Sequence, residues 1–189
     1  MKFTYTLNNI GWADAYLQIG ESEIYIFPSY LSEPLVDLVR AVELLLSECT
    51  PQDEVKNIVY FDWNSEPAIH NWKIEMKSKE KIQINITVYD DGIKTIPGEL
   101  VFCEECNLNE FISEVVQFME VLLRDHGILG YRKQWYAQDF PISSYLQLKY
   151  YILNQSSFPL QIRNSNNEWI EKIETSLKDE IDIIKKFIV

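Results

Sequence analysis

The chain has 189 residues, of which 47% are hydrophobic and 13% aromatic, so it can bury a sizeable core and is not expected to be disordered. It begins without a basic segment followed by an apolar one, and no apolar run approaches the roughly 18 residues that span a bilayer. We therefore expect a soluble, cytoplasmic protein, and its net charge of −12 disfavours binding to nucleic acid and to anionic membranes.

The negative charge is concentrated in the first third of the chain. Residues 8–66 contain 11 acidic side chains against two basic ones, a net of −9, whereas residues 67–154 carry −3. A cationic partner should therefore be attracted chiefly to surface that the first segment provides. An excess of acidic side chains kept for solubility is the alternative explanation.

Three short segments near the N-terminus alternate between apolar and polar residues, as half-buried strands do. They cover residues 3–7, 13–19 and 22–27, and the turn-forming pairs Asn8-Asn9 and Gly20-Glu21 separate them. We expect these strands to form an antiparallel meander.

The helix expected after the meander runs from Ser32 to Glu48. Ser32 can cap its first turn, and Pro34 suits that turn because its missing N–H is not needed there. The apolar residues recur at the spacing of one helical face, so this face should be buried against the strands. They are Leu35, Leu38, Val39, Val42, Leu45 and Leu46.

The middle of the chain predicts more strands and a second long helix. Alternation indicates strands over residues 57–63, 71–76, 82–89 and 99–103. Asn107 and Glu110 resemble a capping box that opens a helix over residues 108–126, and residues 130–135 and 141–153 suit shorter helices. The predicted class is α+β: a mostly antiparallel sheet of six to eight strands, with helices packed on one face and a helical C-terminal part.

We divide the chain into a body, residues 1–154, and a C-terminal part, residues 155–189, that consists of a linker and a helix docked on the body. Six apolar residues in this last part are spaced as a narrow helical seam. The seam packs on the body or joins two copies, so the sequence leaves monomer and homodimer open. Its residues are Ile170, Ile173, Leu177, Ile181, Ile184 and Ile188.

No residue pattern predicts a catalytic, cofactor-binding or metal-binding site. Cys103 and Cys106 have C-x-x-C spacing, but the chain lacks paired further zinc ligands, and the two glutamates between the thiols oppose thiolate formation. A redox or metal role for this pair is the alternative to chance. Asp62, Glu66 and the pair Asp90-Asp91 lie at strand ends, where paired carboxylates could serve a small hydrolase, with or without a metal.

Aromatic and acidic residues share one face of the second strand. Trp12, Asp14 and Tyr16 stand opposite the more apolar side of that strand. Such a face suits an interface that captures Arg or Lys, and burial of the aromatic rings in the core is the simpler alternative. The predicted partner-binding residues are Trp12, Asp14, Glu21, Glu23, Asp62 and Glu66.

Several short motifs together resemble a known group of proteins. They are Gly11-Trp12-Ala13, Ser29-Tyr30-Leu31-Ser32, Phe61-Asp62, Glu66-Pro67, and Gly130-Tyr131 with Trp135. Over residues 2–154 the chain resembles a widespread set of small acidic bacterial proteins of uncharacterised function. Members are similar to proteins encoded beside polymorphic toxins, where small acidic proteins act as immunity partners.

The resemblance implies a non-enzymatic binding protein without a cofactor, an immunity protein that neutralises a cognate bacterial toxin by complementary charge and shape. Its partner would be a basic protein, such as a toxin domain. Two other classes remain open from the residues alone. One is the small hydrolase described above, and the other is a structural module that dimerises through the C-terminal seam.

Overall fold

The computed structural model describes residues 1–136, 138–164 and 171–188, which form four helices and nine strands. All strand pairs in these ranges are antiparallel, so the predicted α+β class is confirmed. The strands are β1 (Lys2–Leu7), β2 (Ala13–Ile19), β3 (Ser22–Ile26), β4 (Ile58–Ser65), β5 (Ala68–Met76), β6 (Lys81–Tyr89), β7 (Glu99–Asn107), β8 (Gln161–Asn164) and β9 (Glu171–Glu174). The helices are α1 (Pro34–Leu44), α2 (Leu108–Gln134), α3 (Ile142–Asn154) and α4 (Leu177–Phe187).

The strands are distributed over three sheets. The expected meander is the first sheet, with the order β1-β2-β3, and the second sheet has the order β4-β5-β6-β7. The strands β8 and β9 pair only with each other. The two larger sheets approach each other at β3 and β7, where the hydroxyl of Ser22 donates to Glu104 Oε1 at 2.6 Å.

One core joins the two larger sheets to the helices. The ring of Phe3 on β1 lies 6.5 Å and 6.0 Å from the rings of Trp63 and Trp72 on the second sheet. It also lies 5.6 Å and 5.2 Å from the rings of Phe111 and Phe118 on α2. Helices and strands therefore bury their apolar faces against one another, and the opposite faces of both sheets are left towards solvent.

The edge of β1 is closed by a side chain from α2. The backbone N–H of Phe3 donates to Glu114 Oε2 at 2.8 Å. The N–H of Asn8 donates to the carbonyl of Trp12, so the backbone N–H and carbonyl groups of the even-numbered residues of β1 point towards β2. The backbone groups of the odd-numbered residues point to the open edge of the sheet. Glu114 thus occupies one of the positions where another strand would pair.

The first helix buries the predicted face but starts differently. All six residues of the predicted apolar face are buried. The expected cap by Ser32 is wrong, because Ser32 Oγ accepts the N–H of Asn64 at 3.0 Å instead. The helix starts at Pro34 without a side-chain cap and ends at Leu44, and the hydroxyl of Thr50 then donates to the carbonyl of Glu43 at 2.8 Å.

The second helix begins and breaks where the sequence predicts. Asn107 Oδ1 accepts the N–H of Glu110 at 3.1 Å, which satisfies one donor of the first turn. Gly127 leaves the helical conformation with a φ of +63°, and a short helical segment then continues to Gln134. None of the helices in the described ranges combines the length and the apolarity that crossing a membrane requires.

The predicted continuous seam in the C-terminal part is wrong. Ile173 lies on β9 rather than on a helix, and Ile170 lies outside the described residues. The helix starts only at Leu177, because Ser176 caps it by accepting the N–H of Asp179 at 3.3 Å. This helix meets the body at Phe187, whose ring centroid lies 3.7 Å from Lys149 Nζ.

We predict that Leu38→Ala lowers the free energy of unfolding by about 2–4 kcal/mol, through lost burial and the cavity left behind. Leu38 is 0% exposed in the shared core. Chemical denaturation monitored by tryptophan fluorescence measures the change. Leu129 is 78% exposed, so the control Leu129→Ala should change stability by less than about 0.5 kcal/mol. Equal effects of the two variants would contradict this assignment of the core.

Candidate partner-binding surface

The solvent side of the first sheet presents acidic and aromatic side chains together. Ala13, Ala15 and Leu17 of β2 are buried, so the alternating residues between them face outward. Tyr16 stands opposite Tyr25 in the β2–β3 register. We call this surface the tyrosine face, and it consists of Asp14, Tyr16, Glu23, Tyr25 and Phe27.

The side chains of the tyrosine face contact one another. The rings of Tyr16 and Tyr25 lie 4.6 Å apart, and the hydroxyl of Tyr16 donates to Glu23 Oε2 at 2.7 Å. The hydrogen bond to Glu23 raises the pKa of Tyr16 to about 12, so its hydroxyl stays protonated at neutral pH. Lys2 Nζ lies 5.5 Å from the centroid of the Tyr16 ring, a cation–π geometry within this chain.

The structure separates the predicted partner-binding residues into two groups. Three of them belong to the first sheet or to the turn between β2 and β3, and with them goes Trp12, which directly precedes β2 and is half-buried. The other two come from β4 and the turn that follows it. The first group is Trp12, Asp14, Glu21 and Glu23, and the second is Asp62 and Glu66.

Asp62, one of the predicted partner-binding residues, is paired with other side chains of this chain. Lys94 Nζ lies 2.8 Å and 2.6 Å from its two carboxylate oxygens, and Asn71 Nδ2 donates to Oδ1 at 2.7 Å. The loop after β6 folds over the outer side of the second sheet and supplies Lys94. Glu66 remains exposed in the turn between β4 and β5.

Asp91 organises the loop that carries Lys94. Its carboxylate accepts the backbone N–H groups of Lys94 at 2.9 Å and Ile96 at 3.1 Å, and it also accepts the hydroxyl of Thr95. The Thr95 hydroxyl, together with the backbone N–H groups of Thr95, Ile96 and Ile93, lowers the pKa of Asp91 to about 2. Asp62 and Asp91 therefore both have partners within the chain, Lys94 and Asn71 for the first and the loop backbone for the second.

The two cysteines of the C-x-x-C sequence point to opposite sides of β7. Cys103 stands opposite Asn85 on the outer side, and Cys106 stands opposite Ile82 on the core side. Cys106 is half-buried, and burial raises the pKa of its thiol to about 12. The pair is not arranged as one site, and no group of three or more His, Cys, Asp or Glu among the described residues could hold a metal ion.

Three segments that are distant in sequence meet beside the tyrosine face, at a place we call the junction. It consists of residues 8–12, 28–32 and 131–136. The N–H of Gly11 donates to the carbonyl of Gln134 at 2.8 Å, and the N–H of Tyr30 donates to the carbonyl of Gly11 at 2.9 Å. The N–H of Ser29 reaches the carbonyl of Asn64 at 2.7 Å, which ties the junction to β4. Several motifs of the family resemblance therefore meet here.

The junction presents large apolar side chains to solvent, a feature that sequence reasoning missed. The exposed fractions are 65% for Ile10, 41% for Tyr30, 57% for Leu31 and 63% for Tyr136. The rings of Tyr30 and Tyr136 lie 4.7 Å apart. We call Ile10, Tyr30, Leu31 and Tyr136 the junction patch. The only sequence signal here is the glycine at position 11, because glycine is favoured where the backbone needs a positive φ or a close approach.

A polar cleft between α1 and α3 was also missed. Its volume is about 450 Å³, and its lining includes Glu33, Arg40, Glu43 and Asp139. Burial raises the pKa of Glu43 above its ordinary value, while the hydroxyl of Ser144 and the guanidinium of Arg40 oppose the shift. No spacing in the sequence brings residues 33–43 to residues 138–147, so only the tertiary structure shows this cleft.

Comparisons of the chain with protein-family models, with curated proteins and with solved structures gave no match. The family resemblance, and the function it implies, therefore stay predictions.

We predict that Gly11→Ala destabilises the protein more than Gly20→Ala. Both glycines have a positive φ, +75° and +61°, so alanine strains the backbone at either position. A Cβ on Gly11 would lie 2.8 Å from the Tyr30 ring, whereas a Cβ on Gly20 would have no atom within 4 Å. Thermal denaturation of the two variants isolates the cost of displacing Tyr30. Equal melting temperatures of the two variants would show that the Tyr30 ring moves aside without cost, which would contradict a rigid contact between Gly11 and Tyr30.

We predict that Glu43→Gln stabilises the protein at pH 8 and has little effect at pH 4. Because its pKa is raised on folding, Glu43 binds a proton more tightly in the folded state. The resulting contribution to stability is present at low pH and is lost as the pH rises through the folded-state pKa. Urea denaturation across this pH range measures the difference. The exposed control Glu54→Gln should show no comparable trend.

Proposed function

We propose that the protein binds a basic protein partner through the tyrosine face, and that the partner is a bacterial toxin domain which the complex neutralises. The observation that carries this proposal is the exposed surface on which acidic groups and aromatic rings lie side by side. Guanidinium and ammonium groups are attracted both to carboxylates and to the faces of such rings.

The charge around this surface supports a cationic partner. Residues 8–39 contain five acidic side chains and no Lys or Arg. The exposed acids Glu21 and Glu23 lie at and beside the turn between β2 and β3, where a partner can approach from solvent. Long-range attraction of this kind raises the rate of encounter, and salt weakens it.

Lys2 provides an example of the same chemistry within the chain. Its ammonium group lies over the Tyr16 ring, whose hydroxyl is bound to Glu23. A Lys or Arg from a partner would meet the same combination of ring and carboxylate. Neutralisation requires only that a tight complex cover the toxin, so the proposal needs no catalytic residue in this chain.

A small hydrolase is the second candidate, and the cleft between α1 and α3 is the observation that favours it. Glu43 is partly buried there with a raised pKa, the property expected of a general acid. Ser144 and Arg40 lie within reach of its carboxyl group. Hydrolase activity on a panel of ester and peptide substrates, lost in Glu43→Gln, would favour this candidate over the binding protein.

We predict that the double variant Glu21→Lys, Glu23→Lys lowers the association rate with the partner by roughly tenfold at low salt, because it reverses charge beside the tyrosine face. The partner is first identified by pull-down from the native host and mass spectrometry, and then purified. Surface plasmon resonance at several salt concentrations measures the rate. Toxin activity with each variant tests neutralisation.

The matched control is Asp125→Lys, Asp182→Lys, which reverses two exposed acids on α2 and α4. It makes the same change in net charge, so it should affect association less if the position of the charge matters. Circular dichroism must show that both variants are folded. The electrostatic proposal would be refuted if the association rate changed neither with salt concentration nor with the Glu21→Lys, Glu23→Lys substitutions.

A further inference from the structure

We propose that the junction patch is the apolar centre of the partner-binding surface. It would receive an aliphatic or aromatic side chain of the partner, while the tyrosine face and its acids take the surrounding Lys and Arg groups. This inference rests on the proposed function, and it identifies the contacts that slow dissociation rather than those that speed association.

The patch has the composition and rigidity of a binding hot spot. Its four side chains are large, apolar and substantially exposed, and two of them are tyrosines in ring contact. The backbone below them is fixed by the Gly11–Gln134 and Tyr30–Gly11 hydrogen bonds. A preorganised patch loses little conformational entropy on binding, so its apolar area contributes more fully to affinity.

The backbone at Tyr136 is a second indication. Its φ is +51°, a left-handed conformation in which glycine is favoured and a bulky residue is strained. Tyr136 follows Trp135, the C-cap residue of the helix, whose N–H donates to the carbonyl of Tyr131. The strained position nevertheless carries a tyrosine, which places an exposed ring against Tyr30. This left-handed residue directly after the helix end therefore fixes the backbone that holds the Tyr136 ring beside Tyr30.

The patch continues the tyrosine face rather than forming a separate surface. Trp12 directly precedes β2, where alternation places it on the side of Asp14 and Tyr16, and it also bridges to Ser29, the neighbour of Tyr30. Ile10, Tyr30 and Leu31 lie within residues 8–39, which contain five acids and no Lys or Arg. Tyr136 instead follows the exposed Arg132 and Lys133, and Arg132 is paired with Asp139 at 3.2 Å. An apolar centre beside an acidic field is complementary to a partner whose apolar side chain is flanked by basic ones.

The test uses a random peptide library displayed on phage, selected on the purified full-length protein. Peptides that bind wild type should combine an aromatic or aliphatic residue with Lys or Arg. Leu31→Ala and Tyr136→Gly should each weaken the binding of these synthesised peptides by about tenfold or more. Tyr136→Gly relieves the positive φ, so its melting temperature should stay within about 4 °C of wild type.

The controls replace equally exposed residues on the outer side of the second sheet. Tyr60→Ala matches Tyr136, since both tyrosines are 63% exposed, and Leu100→Ala matches Leu31, with 54% against 57%. Neither control should change peptide binding. The inference would be overturned if the enriched peptides bound the patch variants as tightly as they bind wild type. It would also be overturned if the selection enriched no peptide. A dimer that dissociates on Leu31→Ala would also overturn it, by showing that a second copy covers the patch.

The same experiment separates this inference from the proposed function. Peptides that bind the patch but lack Lys and Arg, and whose affinity is independent of salt, would contradict the basic partner while supporting the patch as an apolar anchor. Basic peptides whose affinity falls when Glu21 and Glu23 are substituted, but not when Leu31 or Tyr136 is substituted, would support the basic partner and contradict the patch as its apolar anchor.

Discussion

The hydrogen bonds of Gly11 hold together the part of the molecule on which the candidate surface depends. Its N–H reaches the carbonyl of Gln134, and its carbonyl accepts the N–H of Tyr30, so one residue joins three distant segments. Both bonds require the left-handed backbone and the close approach to Tyr30 that a residue without a Cβ permits. The position of β2, the loop before α1 and the end of α2 are thereby coupled.

The sequence predicts this fold best where structure depends on local spacing. The outward row of β2 and the buried face of α1 follow from periods of two and 3.6 residues. The ion pair between Asp62 and Lys94 cannot be predicted from spacing, because the two residues are 32 positions apart. A lysine that forms an ion pair has no sequence pattern that distinguishes it from an unpaired one on the same loop. The prediction of a continuous C-terminal seam fails for a related reason: isoleucine favours strands as well as helices, and its spacing alone does not show that the helix begins only after the cap at Ser176.

The candidate surface was predictable in part. Alternation placed Trp12, Asp14 and Tyr16 on one side of a strand, but it could not decide between core and interface. Tyrosine illustrates the difficulty, since Tyr5 is fully buried while Tyr25 on the same sheet is exposed. Strand register decides which side faces α2, and register depends on partners outside the strand. The junction patch was beyond prediction because it arises from three segments that only the folded chain brings together.

The Glu114 side chain at the edge of β1 has a consequence for how copies of this chain behave towards each other. An open edge offers unpaired N–H and carbonyl groups, on which a second molecule can extend the sheet and begin an aggregate. Glu114 takes the N–H of Phe3 and also places a negative charge there, so an approaching strand would meet both a missing donor and a repelling carboxylate. The helix that builds the core thus also opposes the addition of a strand at this edge of the sheet.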